Sequence, residues 1–344
     1  MPDVNAAVFR STPRRALVVG AGGTIAMVGR SAYDWVEYGE SGQVRPVTDV
    51  VQELQPLLEG VELEMISFRA VASTGIAWRD WVELGRLVRD LAATRPDAHG
   101  IVITHGTASL EDTAWFLELV VQCRIPVVLV GAQRPPNTVG SDAAPNLRAA
   151  LAVAVAPVAR DLGVLVVMDN CIYGARDVRK TSNFALDAFE AGEFGPLGRV
   201  DADGTVVLRR RPVVAKSHSP ALAGALACDA PPRVDLVLSY AGADGTAIDA
   251  FVRSGASAII SVGMPPGRCT PEERAALREA VAVGVLVVQS SRAPRGAVVA
   301  QRYNRADGIV SGGDLAPNKL RILLMVALSA GLPRAAIGEM LHDF

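Results

Sequence analysis

Cysteine and histidine are both scarce in this chain of 344 residues, with four of each. The cysteines, Cys123, Cys171, Cys228 and Cys269, lie far apart and form no C-x-x-C pair. No histidine stands close enough in sequence to complete a metal-ligand cluster. Three of the four sit in or beside apolar stretches, where a free thiol behaves as a small core residue. Reduced, structural thiols are therefore expected, and neither a metal nor an organic cofactor is indicated. Basic runs are missing too. Lysine and arginine total 34 against 36 acids, for a formal net charge of −2, whereas a nucleic-acid binder needs a clustered cationic face. No apolar run reaches the ~18–20 residues of a membrane span. The polar stretch Met1–Thr12 has no hydrophobic segment of a secretory signal. A cytoplasmic protein without nucleic-acid or membrane partners is the expectation. The chain has no internal repeat, no low-complexity segment, and no G-x-S-x-G elbow to support a serine hydrolase. It also misses the dinucleotide fingerprint G-x-G-x-x-G, because Gly20-Ala21-Gly22-Gly23-Thr24-Ile25 ends on isoleucine.

What is present is a chain that is 50% hydrophobic and 20% charged, an ordinary composition for a protein with a sizeable core. Its length exceeds the usual single domain. Continuous apolar runs at Ala16–Gly20, Ile101–Thr104, Val127–Val130 and Gly163–Met168 alternate with helix-length amphipathic segments at Trp78–Ala93, Leu110–Cys123 and Ala143–Val158. Asp142 is placed to cap the third helix, and Asp80 falls in the first turn of the first. Apolar strands separated by helices predict a doubly wound α/β domain around a parallel sheet.

The alternation breaks from Ala191 to Arg233, and roughly Asp203–Pro232 is read as hairpin and linker. It then resumes with strands at Val234–Tyr240, Ala258–Val262 and Val285–Gln289. Helices are expected at Thr246–Ser254, Pro271–Val283, Pro317–Ala330 and Pro333–His342. The expected organisation is a larger N-terminal α/β domain over 1–205, a linker over 206–232 and a smaller α/β domain over 233–344.

Ligands of open α/β sheets bind beyond the carboxyl ends of the strands, so the loops after these strands carry the information. The glycine cluster Gly20–Gly23 suits a tight turn whose backbone N–H groups face an anion or oxyanion, with the Thr24 hydroxyl in the same cleft. A plain turn with a surface threonine fits equally well. In Thr104-His105-Gly106-Thr107, Thr107 reads either as an N-cap hydroxyl or as a site residue, and His105 as a hydrogen-bonded structural histidine. In Arg176-Asp177-Val178-Arg179-Lys180-Thr181, Lys180 belongs either to a solvated charge run or to a cleft. Among other cations there, a lysine of lowered pKa accepts a proton from a hydroxyl.

Taken together these segments resemble the bacterial-type L-asparaginase/glutaminase family. The likeness runs through Gly22-Gly23-Thr24-Ile25-Ala26, Thr104–Thr107 with Leu110–Ala114, and Gly131-Ala132-Gln133-Arg134-Pro135. It continues through Ser141-Asp142, Asn146-Leu147, Gly163–Met168, Arg176–Val178, Lys180-Thr181, Ser290-Ser291-Arg292 with Gly296, and Pro317, Lys319 and Arg321. The blocks follow one another in order over nearly the whole chain. The resemblance implies an amidohydrolase in which Thr24 attacks the amide carbonyl to give an acyl-enzyme. Tyr38, or alternatively Tyr33, assists from a mobile loop, while Thr107 and Lys180 relay a proton or orient water. Substrate contacts fall to Gly23, Gly106, Ser73 and Thr74, with Ser73 on a substrate carboxylate. It further implies a small-molecule amide substrate and a homo-oligomer, dimer or tetramer, with sites completed across an interface.

The sequence departs from the family at Ala108, where the family signature His-Gly-Thr-Asp carries an aspartate that pairs with the substrate α-ammonium. The stretch Val298–Arg305 also lacks the acid that relatives offer from a neighbouring subunit, and Gly263-Met264-Pro265-Pro266-Gly267 lacks an asparagine. Losing the carboxylate partner of a buried ammonium costs roughly 2–5 kcal/mol, about 30- to several-thousand-fold in affinity. The expected substrate is therefore an amide without a free α-amino group, and Arg302 and Arg305 would favour an added anion there. The alternatives are asparagine itself, a cyclic amide or imide, or a non-catalytic binding protein on the same scaffold.

Overall fold

In the computed structural model, residues 13–41, 43–55, 58–212 and 220–342 are described. The polar stretch Met1–Thr12 and part of the expected linker, 213–219, lie outside them. The large domain runs through β1 (Arg14–Gly22), α1 (Val47–Leu54), β2 (Val61–Val71), α2 (Trp78–Thr94), β3 (Ala98–Thr104), α3 (Leu110–Val120), β4 (Val127–Val130), α4 (Ala143–Ala154) and β5 (Val164–Met168). Short strands β6 (Cys171–Gly174), β7 (Arg179–Lys180), β8 (Phe189–Glu190), β9 (Gly198–Val200) and β10 (Val206–Leu208) follow. The small domain comprises β11 (Val234–Leu238), α5 (Thr246–Arg253), β12 (Ala258–Gly263), α6 (Pro271–Ala282), β13 (Leu286–Ser291), α7 (Arg302–Ala306), β14 (Val310–Ser311), α8 (Pro317–Ser329) and α9 (Arg334–Met340).

The architecture is α/β, a larger doubly wound domain joined to a smaller one. The large sheet has the order β10-β9-β6-β5-β4-β3-β1-β2 and is parallel from β2 to β5, while β6, β9 and β10 add antiparallel pairs. The small sheet, β11-β12-β13-β14, is parallel throughout. Strands β1, β3, β4 and β5 are apolar on both faces because both are covered. Leu17, Val19, Ile101 and Ile103 face the α2 and α3 side, and Ala16, Val18 and Val102 face the α1 and α4 side.

Several expectations are corrected. Strand β2 and helix α1 were not foreseen, since β2 is an edge strand carrying Glu62 and Glu64 and α1 spans only eight residues. The third helix stops at Ala154, and a short 3₁₀ turn over Pro157–Ala159 takes up the remainder. Asp142 flanks α4 but makes no capping bond. Its carboxylate instead accepts the N–H groups of Gln133 and Arg134 and the amide of Asn146. Asp80 does sit in the first turn of α2 and accepts the Ala77 N–H at 2.8 Å.

The hairpin of the expected linker is β9 and β10. Later linker residues form a 3₁₀ helix, Pro220–Ala227, whose Leu222, Ala225 and Leu226 are buried in the main core. Arg86 and the Trp78 indole donate to the carbonyls of Leu226 and Cys228, fastening this segment to α2.

Candidate active site

Three loops at the carboxyl ends of adjacent parallel strands come together. The first follows β1, where Gly22 and Gly23 take positive φ values of 85° and 83°, a conformation that favours glycine. A Cβ on Gly23 would lie 2.2 Å from the Gly106 nitrogen, and one on Gly106 would lie 2.3 Å from Cβ of Ser73. The two glycines thus let the β1, β2 and β3 loops stack directly on one another. Thr24 follows in a 3₁₀ turn, buried, with Oγ1 2.8 Å from the Tyr38 hydroxyl.

Tyr38 rides on a long connection pinned at its other end. The Asn137 side chain accepts the Gly29 N–H at 2.8 Å and donates to the Gly29 carbonyl at 2.7 Å. The Arg134 guanidinium lies 4.1 Å from the Trp35 ring centre. Tyr33 is 70% exposed and packs edge-on against Trp35, so Tyr38 is the tyrosine brought to Thr24.

The second loop follows β3. Ser109, not Thr107, flanks α3, so Thr107 is not a helix cap. Its buried hydroxyl accepts from Lys180 Nζ at 2.8 Å and donates to Gln133 Oε1 at 3.1 Å; Lys180 also donates to Gln133 Oε1 at 2.9 Å. Gln133 is fixed in turn by the Ala185 carbonyl. His105 is structural. Nδ1 donates to the Gly106 carbonyl, while Nε2 accepts from Thr113, whose oxygen takes the Trp81 N–H. Complete burial pushes its pKa down to about 4, so it is neutral at physiological pH.

Lys180 lies in β7 and is no solvated charge. Burial lowers its pKa, against the opposing pull of Asp142 and Glu111. The cause is desolvation and not, as the run of arginines suggested, neighbouring cations. Its backbone N–H donates to Glu111. Ser73 is half-buried in a 3₁₀ turn after β2, and its carbonyl accepts from Ser109 at 2.6 Å; Thr74 is exposed at the rim. Ala108 is exposed. The acids nearest in sequence are engaged elsewhere, since the Asn318 amide donates to Glu111 at 2.9 Å and to Asp112 at 2.6 Å.

Asn318 belongs to a support that sequence reasoning left without a role. Lys319, fully buried, donates from Nζ to the carbonyls of Ala175, Arg176 and Val178, the turn just before Lys180. Burial lowers its pKa to about 8, which leaves it an ammonium at neutral pH. The first turn of α8, from the small domain, therefore holds the strand that presents Lys180. The available signal was a lysine immediately before the largely apolar run Leu320–Leu328, which itself holds one charge, Arg321.

The arrangement offers two hydroxyls, one bonded to a phenol and one to an amine of depressed basicity, which suits nucleophilic attack followed by activation of water. A model described as "Asparaginase, N-terminal" matches residues 15–214, and one described as "Glutaminase/Asparaginase C-terminal domain" matches 233–341. A probable periplasmic L-asparaginase of Haemophilus influenzae is 32% identical over 332 residues, covering 95% of this chain and 92% of the relative. A glutaminase-asparaginase of Pseudomonas fluorescens is 35% identical over 91% of this chain and 86% of its own. The crystal structure of a probable cytoplasmic L-asparaginase from Campylobacter jejuni superposes with a TM-score of 0.87 at 29% identity, covering 96% of this chain and 100% of the other.

Proposed function

Given that the chain belongs to the asparaginase/glutaminase family and is an amidohydrolase, we propose that Thr24 is its nucleophile and that its substrate is a linear carboxamide lacking a free α-ammonium. The observation that carries the mechanism is the pair of contacts Thr24–Tyr38 and Thr107–Lys180, each 2.8 Å. Thr24 Oγ1 attacks the amide carbon while its proton passes to the Tyr38 oxygen and the Tyr38 phenol releases its own proton towards the departing nitrogen. Backbone N–H groups of the Gly22–Gly23 turn meet the oxyanion. The C–N bond breaks as the nitrogen takes up a proton and leaves as ammonia, giving an acyl-Thr24 ester. Lys180 in its amine form, acting through Thr107, takes a proton from water, which attacks the ester and releases the carboxylate and the Thr24 hydroxyl. Ser73 and Thr74, with Gly23 and Gly106, hold the substrate.

The substrate reading rests on Ala108, which presents no carboxylate, and on the commitment of Glu111 and Asp112 to Asn318. A second reading, asparagine itself, is favoured by the names of the relatives. Four free thiols and the cytoplasmic designation of the Campylobacter relative support a cytoplasmic location. Exposed Leu236, Leu238 and Tyr240, on and just past edge strand β11, support an oligomeric working form.

The test is ammonia release from asparagine, glutamine, their N-acyl forms, monoamides of simple dicarboxylic acids and cyclic imides. Turnover is expected only without a free α-ammonium, abolished by Thr24→Ala, with asparagine turnover raised by Ala108→Asp. Efficient asparagine hydrolysis by the wild type would discard the substrate reading and keep the mechanism. Preference for imides would shift the substrate to a ring. Silence towards every amide would make the chain a binding protein.

A further inference from the structure

The small domain has a crest of its own. The loop that follows β12 leads through Gly267–Thr270 into α6 and walls a cavity of about 500 Å³. Its lining holds three guanidiniums, those of Arg268, Arg274 and Arg278. One carboxylate, Asp307, serves two of them, at 2.6 Å from Arg274 and 3.4 Å from Arg278. Arg268 is exposed and has no ion pair among the described residues; its guanidinium lies 5.5 Å from the centre of the Tyr303 ring, with Arg274 at 5.0 Å. The Tyr303 hydroxyl, also on the cavity, is buried without a hydrogen-bond partner among the described residues, an arrangement proteins seldom tolerate.

Of the other polar groups nearby, Thr270 and one oxygen of Glu273 are engaged, while Glu273 Oε1 is buried without a partner among the described residues. Thr270 accepts the Glu273 N–H and donates to the Ala243 carbonyl, and Glu273 takes the Thr270 N–H and does not line the cavity. Burial raises the pKa of the Cys269 thiol, so it stays protonated and brings no charge. The loop itself is stiff. Met264 and Arg268 exchange backbone hydrogen bonds, and Gly267 has φ +99°, where a Cβ would meet Val298 at 2.9 Å.

We propose that this cavity is a second binding site, for a small oxyanion, a carboxylate or phosphate group held by Arg268 and the Tyr303 hydroxyl. A guanidinium offers two parallel N–H donors that match either group. The phenol supplies a third donor that no other described residue uses. Placement agrees with the rule that parallel sheets bind ligands beyond the carboxyl ends of their strands, here at the start of a 12-residue helix.

The test is calorimetric titration of the full chain with inorganic phosphate and, separately, with succinate, at ionic strength held constant with sodium chloride. Saturable millimolar or tighter binding of at least one is expected. It should weaken at least tenfold in Arg268→Gln and severalfold in Tyr303→Phe. Tyr303→Phe deletes only an unpartnered hydroxyl, so the variant should fold. Preference for phosphate or for succinate identifies the anion. Absence of saturable binding by either probe overturns the proposal. So does binding that survives both substitutions, or succinate binding lost in Ser73→Ala and kept in Arg268→Gln, which would assign the ligand to the amide site.

Discussion

Both domains end their parallel strands in a polar crest, yet the two crests are built from opposite materials. At the large one, glycines bring backbones into contact, and the functional groups are buried hydroxyls, an amide and a single lysine, each with a partner. At the small one, the groups are guanidiniums of which one has no counterion among the described residues, together with a phenol unpartnered among them. The difference is the one that the two proposed roles call for. Chemistry on a neutral amide needs an amine of depressed basicity, and only burial supplies that to Lys180. Retaining an anion needs only uncancelled charge at a reachable surface.

The contrast can be broken by substitution. The largest effect is expected from Lys180→Met, which should reduce amide turnover by about a hundred- to ten-thousandfold with the melting temperature little changed, the range typical of losing a general base. Lys319→Met comes next. It strands three buried carbonyls at 1–3 kcal/mol each by the usual scale, so about 3 kcal/mol or more of unfolding free energy should disappear in a denaturant titration.

The same lysine carries a pH signature. Its folded pKa, about 8, lies below the ordinary value of 10.5, so the folded state binds its proton less tightly than the unfolded one. Stability from this group is therefore full above pH 10.5 and is lost as pH falls from there through about 8. The difference in denaturation midpoint between wild type and Lys319→Met should shrink accordingly across that window as pH is lowered. The smallest effect is expected at the other crest, where Tyr303→Phe should shift unfolding free energy by less than about 0.5 kcal/mol. A large loss there would mean that the hydroxyl is structural after all.

How much of this could be read from the chain depends on where each residue lies. The buried strands β1, β3, β4 and β5 announce themselves as continuous apolar runs. Edge strand β2, with glutamates along it, and the two- and three-residue strands around Lys180 do not. Thr24, Thr107 and Lys180 were each ambiguous alone, since a turn threonine, a cap and a charge run look alike in one dimension. Their agreement in order along the chain with a family pattern singled them out, and the crossing of the β1, β2 and β3 loops brings Thr24 and Thr107 to one crest, where β7 presents Lys180 to Thr107. Gln133, Glu111 and Asn318 escaped because their work is done across the fold, by hydrogen bonds spanning 47, 69 and 207 positions. No local pattern encodes such pairs.

The first turn of α8 also bears on how the protein fails. Two separately recognisable segments of sequence are here one mechanical unit, because Asn318 reaches from the small domain to the start of α3 and Lys319 to the turn before the strand of Lys180. A gene cut between them would yield a large domain in which Glu111, Asp112 and three carbonyls lose the donors that Asn318 and Lys319 supply, and that fragment should be inert even where it stays folded. On heating, loss of activity and unfolding of the small domain should accordingly fall on one curve, with no window in which a damaged protein still turns over substrate.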